Sequence, residues 1–339
     1  MEWIEYLKHI ETKSKENGTP TSAIFELTPL CNFNCNMCYI HLSPEQANKQ
    51  GVLLSTEQWL HLATEAKRLG VLGAEVTGGE AVTRQDFSVL YEELIRMGYL
   101  LTLRSNGYML QGDVLKLLKK YKPRCVSITI YGASDETYQK ICGISDGFSV
   151  VTRNILELRE AGVNIKVSTT VTKENISDKE KLIEWAQRND FTIYFFGGLI
   201  RPIRLAQRSI NHLKADYIFH NDINMPLPSR RILNKEAYLP PFSMCREYGT
   251  KFCITWDGRM TLCNCFPSVW SNVLTQSVGD AFKDLYLQLE KIQRPPECLD
   301  CQVIDYCVAC PAQLLSETGS YEKTCEDVCR RAKARYFMS

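Results

Sequence analysis

Between residues 23 and about 196 the chain alternates short apolar runs with amphipathic helical patterns, and that alternation leaves few folds open. Runs consistent with strands fall at 23–28, 73–77, 100–104, 125–131, 164–171 and 192–196. Between them, Ser55-Thr-Glu-Gln58 reads as a capping box, in which serine and glutamine each satisfy an open backbone N–H at a helix start. Trp59, Leu62, Ala63, Ala66 and Leu69 follow on one face, and Gly70 stands where a left-handed C-terminal cap belongs. Asp86 opens a second helix running to Gly98. Ser134-Asp-Glu opens another, with carboxylates at the positive end of the helix dipole. Repeated strand–helix–strand units with apolar strands imply a parallel sheet covered by helices, an α/β fold. Six strands are too few for a closed eight-stranded barrel. The expectation is a partial (β/α)6 TIM-like barrel with its chemistry at the C-terminal ends of the strands.

The first strand run leads into Cys31-Asn-Phe-Asn-Cys35-Asn-Met-Cys38-Tyr39. Iron–sulfur clusters are held by cysteine thiolates, usually four for a [4Fe–4S] cluster. This loop supplies Cys31, Cys35 and Cys38 at Cys-x3-Cys-x2-Cys spacing, with no fourth cysteine nearby. Such a cluster keeps one iron open. That iron can chelate the amino and carboxylate groups of S-adenosylmethionine (SAM), and an electron then breaks the C–S bond to give a 5′-deoxyadenosyl radical. Zinc is the competing reading, but zinc loops favour cysteine pairs that close four ligands. The loop, with the aromatic Tyr39 behind it, resembles the cluster loop of the radical SAM superfamily. The resemblance implies a partial-barrel core, a SAM-binding [4Fe–4S] cluster with Tyr39 on the cofactor, and an external electron donor such as a flavodoxin or ferredoxin.

Further features sit at strand ends. Thr77-Gly78-Gly79-Glu80 follows the second strand, and paired glycines let backbone approach a ligand closely. In the family this segment holds the SAM amino group, a role the resemblance carries to Gly78, Gly79 and Glu80. Ser105-Asn106-Gly107 follows the third strand; the family often uses this loop for ribose or carboxylate contacts, and it is equally a common turn. The fifth strand carries Ser168, Thr169 and Thr170, of which Ser168 and Thr170 share a face. One of these is the candidate SAM contact, with Ser168 put first although the sequence does not choose among them, and Asn175 closes the same segment as a further candidate.

Fifteen cysteines in a chain of this length suggest metal, and they cluster. Beyond the first loop they occur at 245–265 and 298–329, leaving Cys125 and Cys142 isolated. Cys245, Gly258-x4-Cys263 and Cys298-x2-Cys301-x5-Cys307-x2-Cys310 resemble the SPASM extension of radical SAM enzymes, with x2 where the familiar last spacing is x3. The resemblance implies two auxiliary [4Fe–4S] clusters, three in all. One takes Cys245, Cys263 and Cys310, with Cys253, Cys265 or an open iron in fourth place. Against Cys253, a two-residue Asp257-Gly258 turn would pair it near Leu262 and on the face opposite Cys263. The other cluster takes Cys298, Cys301, Cys307 and Cys325, with Cys329 as the alternative to Cys325. Zinc ribbons remain the competing reading of the two Cys-x2-Cys pairs.

A length of 339 residues allows about two domains. The expected division is an N-terminal helix at 1–22, the barrel at 23–198, a Pro- and Arg-bearing linker or substrate-facing segment at 199–244, and the auxiliary-cluster domain at 245–339. A net charge of +1 with both signs interspersed offers no basic stripe for nucleic acid and no polybasic tail for a membrane. The N-terminus lacks the cationic head and apolar core of a signal peptide, so a cytoplasmic protein is expected.

The SPASM resemblance implies modification of a ribosomally made peptide by crosslinking, epimerisation or oxidation. With about twenty residues before the first strand, either a leader-binding partner protein presents the peptide or it binds the barrel directly. The alternative is a dehydrogenase or epimerase of a small molecule such as a sugar or antibiotic precursor. An epimerase needs a thiol that returns a hydrogen atom. Cys142, in the helix after the fourth strand, is the surplus cysteine for that catalytic role, and its plainer reading is a packed thiol. A pure electron carrier would have no use for the Gly-Gly-Glu segment.

Overall fold

The computed structural model describes residues 3–197, 199–202, 242, 245, 248–307 and 309–338; side chains at 3–8, 11, 335 and 338 are not described. Most of the expected 199–244 segment, including Arg204, Pro226, Arg230 and Pro240, lies outside the described residues.

Six parallel strands follow the expected runs: β1 (Ser22–Glu26), β2 (Gly73–Thr77), β3 (Leu100–Ser105), β4 (Cys125–Thr129), β5 (Ile165–Thr170) and β6 (Ile193–Phe196). Helix α1 (Trp3–Asn17) precedes them. Between them lie α2 (Pro44–Gln50), α3 (Thr56–Arg68), α4 (Phe87–Arg96), α5 (Gly112–Lys120), α6 (Asp135–Cys142), α7 (Gly147–Glu160) and α8 (Lys179–Arg188). The start signals act as expected. Ser55 and Gln58 form the capping box of α3, and the Ser134 side chain accepts from Thr137 N at the start of α6. Asp86 precedes α4 but makes no side-chain cap. It is taken instead by Arg84 and by Thr56, whose hydroxyl donates at 2.6 Å.

Alternation along the strands separates two faces. Outward residues such as Phe25, Leu101, Val126 and Ile128 are buried under the helices. Phe25 meets Trp59 of α3 at 5.8 Å and Tyr99 edge-on at 5.9 Å between ring centroids. Inward residues are mostly polar, because the inner face walls a cavity rather than a core.

The C-terminal cysteine region does not stand beside this sheet but enters it. Strand β7 (Lys251–Ile254) pairs in parallel with β1, Ser22 beside Lys251, and β8 (Arg259–Thr261) and β9 (Ser271–Asn272) follow antiparallel. The result is one nine-stranded sheet in the order β6-β5-β4-β3-β2-β1-β7-β8-β9. The hairpin between β7 and β8 corrects the expected register. Cys253 pairs with Thr261, not Leu262, and Thr255 N bonds to Arg259 O at 2.9 Å. The turn therefore has three residues, closed by Gly258 at φ +82°, where glycine costs least. A one-residue slip exchanges faces, so Cys253 lies on the Thr261 face and the geometric objection to it falls. Helix α9 (Val278–Leu289) covers this extension, with Phe282 against Phe252, and α10 (Pro311–Thr318) and α11 (Glu326–Met338) complete the region. Among the described residues no helix is long and apolar enough to cross a membrane.

Arg84 staples the mouth of the barrel. Its guanidinium donates to Leu27 O at 2.9 Å, to Leu54 O at 3.1 Å and to both Asp86 oxygens. The side chain is 11% exposed. Removing it leaves two carbonyls without this donor and the Asp86 carboxylate with the Thr56 hydroxyl but no guanidinium. Arg84→Ala should lower the urea unfolding free energy of the assembled protein by about 3 kcal/mol. A loss under about 1 kcal/mol, typical of a surface ion pair, would show the staple to be dispensable.

Candidate active site

The cysteine loop is positioned by backbone. Leaving β1, Leu27 N bonds to Thr77 O at 2.8 Å, and the chain turns through Thr28-Pro29-Leu30. Gly79 N then donates to Thr28 O at 2.7 Å and Glu80 N to Leu30 O at 2.8 Å. A Cβ on Gly78 would stand 2.5 Å from Thr28 O, and one on Gly79 2.3 Å from Leu30 O. The two glycines therefore do permit a close approach, but the partner is the stem of the cysteine loop. On its other side the loop hangs from the end of α6, with Asn34 N on Cys142 O at 3.2 Å and Asn36 N on Ile141 O at 3.0 Å.

Cys31, Cys35 and Cys38 all line one cavity of about 590 Å³. Backbone N–H groups already point at two of the sulfurs: Phe33 N at Cys31 Sγ and His41 N at Cys38 Sγ, each at 3.3 Å. Such donors favour a thiolate. Burial works the other way and pushes the Cys31 thiol up to about 12, despite the Phe33 N–H. A positive centre shared by the thiols would relieve that penalty by binding their deprotonated forms. The donor set therefore fits a group held by three thiolates. Cys142 does not line the cavity. It is 1% exposed, and its thiol lies within hydrogen-bond reach of Cys35, behind the loop. A hydrogen-donor role toward substrate has no path from there.

Glu80 has a different place from the one expected. It is 1% exposed and lies off the cavity wall, which Gly78 and Gly79 form. Its carboxylate accepts Asn106 N at 2.7 Å, Ser105 Oγ at 3.1 Å and Val82 N at 3.4 Å. Burial pushes its pKa up to about 7 against those hydrogen bonds. Asn106 continues the chain of contacts, donating through Nδ2 to Asn32 Oδ1 at 2.8 Å and reaching Cys31 Sγ at 3.7 Å. Ser105 Oγ is engaged within the protein, donating to Glu80 and accepting Gly107 N at 3.0 Å. Ser168 faces the cavity from the opposite wall.

Tyr39 joins this site to the C-terminal cysteines, a contact no sequence signal announced. Asn264 Nδ2 donates to Tyr39 Oη at 2.8 Å, and the Cys265 thiol lies within hydrogen-bond reach of the same hydroxyl. Burial, then Cys265, holds the phenol well above its usual range. Cys265 is held below the usual thiol range, first by its hydrogen bond with Cys263. Cys263 and Cys245 act electrostatically on Cys310, Cys310 and Cys253 act on Cys265, and Cys265 is hydrogen-bonded to Cys263, which links these five thiols into one group. Cys298 feels Cys307, Cys329 and Cys301, while Cys329 feels Cys325, which makes a second group. All fifteen thiols are free of disulfides. Among the described residues no three Cys, His, Asp or Glu side chains converge tightly enough to hold a single metal ion.

Residues 25–186 match the sequence model of the Radical SAM superfamily. The chain is 30% identical over 153 residues to a probable GTP 3′,8-cyclase of Pyrobaculum aerophilum, which covers 45% of this chain and only 48% of that protein. It is 24% identical to the AdoMet-dependent heme synthase of Methanosarcina barkeri over 90% of this chain and 95% of that protein. It is also 24% identical to the subtilosin biosynthesis protein AlbA of Bacillus subtilis over 94% of this chain and 73% of that protein. The fold matches Streptococcus suis SuiB with a TM-score of 0.68 and 17% identity, covering 95% of this chain and 80% of SuiB. It matches anSMEcpe with a TM-score of 0.66 and 17% identity, covering 94% of this chain and 96% of that one.

The buried Glu80 makes stability depend on pH. Its folded pKa of about 7 lies above the ordinary 4.5, so the native state binds this proton more tightly than the unfolded chain. The stabilisation is fully present below about pH 4.5 and is lost as the pH rises toward about 7. Glu80→Gln cannot titrate. The difference in unfolding free energy between wild type and variant should shift in favour of wild type on acidification across that window; a constant difference would place the carboxylate's pKa at its ordinary value.

Proposed function

The chain belongs to the radical SAM superfamily, and on that premise we propose that it cleaves SAM reductively and abstracts hydrogen from a peptide substrate. When bound, a three-cysteine [4Fe–4S] cluster and SAM would together supply a 5′-deoxyadenosyl radical. The observation that carries the reading is the single cavity shared by Cys31, Cys35, Cys38 and the Gly78-Gly79 backbone. In this reading the three thiolates hold the cluster and the Gly78-Gly79 backbone takes the SAM amino group. Asn106 and Tyr39 border the cofactor. Glu80 is a positioning residue that ties the β3 loop to the end of β2.

Two auxiliary clusters belong to the same proposal, in a C-terminal unit at 245–339 whose β7 is hydrogen-bonded into the barrel sheet at 23–198. The first takes Cys245, Cys253, Cys263 and Cys310, with Cys265 as a fifth thiol against Tyr39. The second takes Cys298, Cys301 and Cys307, with Cys325 or Cys329 completing it. An external electron donor such as a flavodoxin or ferredoxin supplies reducing equivalents. The peptide reading is supported by relatives: AlbA is a bacteriocin biosynthesis protein, and SuiB has been solved with its precursor peptide SuiA. A small-molecule substrate is the second reading, favoured by the heme synthase match along 95% of that protein.

The test is anaerobic reconstitution, iron and sulfide determination, then 5′-deoxyadenosine formation from SAM under dithionite. About twelve irons with deoxyadenosine released is the expected result, at four per cluster. Substituting Cys31, Cys35 and Cys38 together by Ala should abolish cleavage and leave about eight irons. Retained cleavage, or loss of all iron, would overturn the ligand assignment. Cys253→Ser should cost about four irons or alter the cluster's electron paramagnetic resonance, while Cys265→Ser should do neither; the reverse result would exchange their roles.

A further inference from the structure

The cavity wall facing the cysteine loop is built from alternate residues of three strands. Ser127 and Thr129 of β4, Lys166, Ser168 and Thr170 of β5, and Tyr194 of β6 all line it. Ser127 pairs with Lys166, Thr129 with Ser168, and Ser168 with Tyr194. Neighbours in a ladder stand about 4.8 Å apart, so these side chains form one continuous patch.

The patch is rich in donors and, among the described residues, has no compensating charge. Lys166 is exposed to the cavity, and among the described residues no carboxylate lies within ion-pair distance of it. The hydroxyls of Ser127, Thr129, Ser168 and Thr170 make no hydrogen bond to any described residue. Arg104, beside Ser127 in the ladder, is the other charged residue on the described wall, and Glu75 already meets it at 2.8 Å. No Asp or Glu lines the cavity among the described residues. An unpaired ammonium flanked by hydroxyls complements a ligand group with several acceptor oxygens and negative charge. Phe196 and Tyr194 provide aromatic surface for the body of such a ligand.

We propose that Lys166, with Ser127 and Ser168 on either side, forms a subsite for a carboxylate or phosphate carried by the substrate. The subsite rests on the reading of this cavity as the chamber shared by SAM and substrate, and it gives that substrate a chemical class. The anion is held on the β4–β6 wall, which leaves the rest of the molecule facing the cysteine loop.

The test uses reconstituted holoenzyme saturated with SAM under anaerobic conditions. Glutarate and inorganic pyrophosphate are titrated separately by calorimetry, so that carboxylate and phosphate recognition are told apart. At least one should bind. Lys166→Gln should weaken it about tenfold or more, the scale of one charge-assisted hydrogen bond. Lys166→Arg should restore most of the affinity, and Ser168→Ala should weaken the same anion by a smaller factor. SAM affinity and iron content should match wild type in both Lys166 variants. Failure of both anions to bind wild type, or equal affinity in Lys166→Gln, would overturn the subsite. So would a loss of SAM affinity in Lys166→Gln, which would put the lysine on the carboxylate of SAM itself. If wild-type holoenzyme does not bind SAM at all, it is the chamber reading that fails, and the subsite falls with it.

Discussion

How closely the backbone at Gly78 and Gly79 approaches the backbone at Thr28 and Leu30 decides the geometry of the barrel mouth. Two short N–H to carbonyl bonds weld the end of β2 to the stem of the cysteine loop. The next residue, Glu80, carries the weld across to β3 through its buried carboxylate, and Asn106 returns it to Asn32 inside the loop. The contacts close a ring through three consecutive strand ends. Each member is held on two sides, so no member can shift without opening a buried hydrogen bond, a cost on the order of 1–3 kcal/mol apiece. The three thiols face the cavity because that ring fixes where their loop begins.

The strands and helices were legible because their signals are local. Capping residues, one-sided apolar spacing and glycine stops act within a turn or two, and they mark β1 to β6 to within a few residues. The cysteine trio was legible for the same reason: its spacing is its function. Contacts that join distant segments were not. The Gly-Gly pair suggests room for a ligand, and its backbone does line the cavity. Sequence alone does not show that a loop stem about fifty residues upstream packs on the glycines' Cα side, as the Cβ contacts of Gly79 with Leu30 and Pro29 show. The resemblance points Glu80 at the SAM amino group, whereas its carboxylate is taken by Asn106 N and Ser105 Oγ. Whether a carboxylate after two glycines turns inward or outward depends on the β3 loop, which sequence does not place beside it. The β7–β8 turn was misread by one residue, because Asp257-Gly258 suits a two-residue and a three-residue turn alike.

The two cysteine regions, far apart in the chain, meet at Tyr39. Its hydroxyl takes a hydrogen bond from Asn264, which lies between Cys263 and Cys265, and its backbone follows directly on Cys38. The aromatic residue that completes the first motif is therefore the point where the second region touches the cavity. Asn264 itself lines the cavity, so the C-terminal region supplies part of the chamber wall and is more than a neighbour to it.

The parallel pairing of β1 with β7 also bears on how the chain is made. The hydroxyl of Thr21, at the threshold of β1, reaches the carbonyl of Thr250 across 229 positions of sequence. During synthesis β1 and β2 can pair early, but one edge of β1 keeps its N–H and C=O groups open until roughly three-quarters of the chain has emerged. Exposed strand edges recruit other chains, and contacts of long separation form slowly. The stem of the cysteine loop thus passes through a long interval as a half-finished edge. A ribosome-bound chain truncated before residue 251 would carry the first cysteine motif complete in sequence but without the wall that Asn264 later closes.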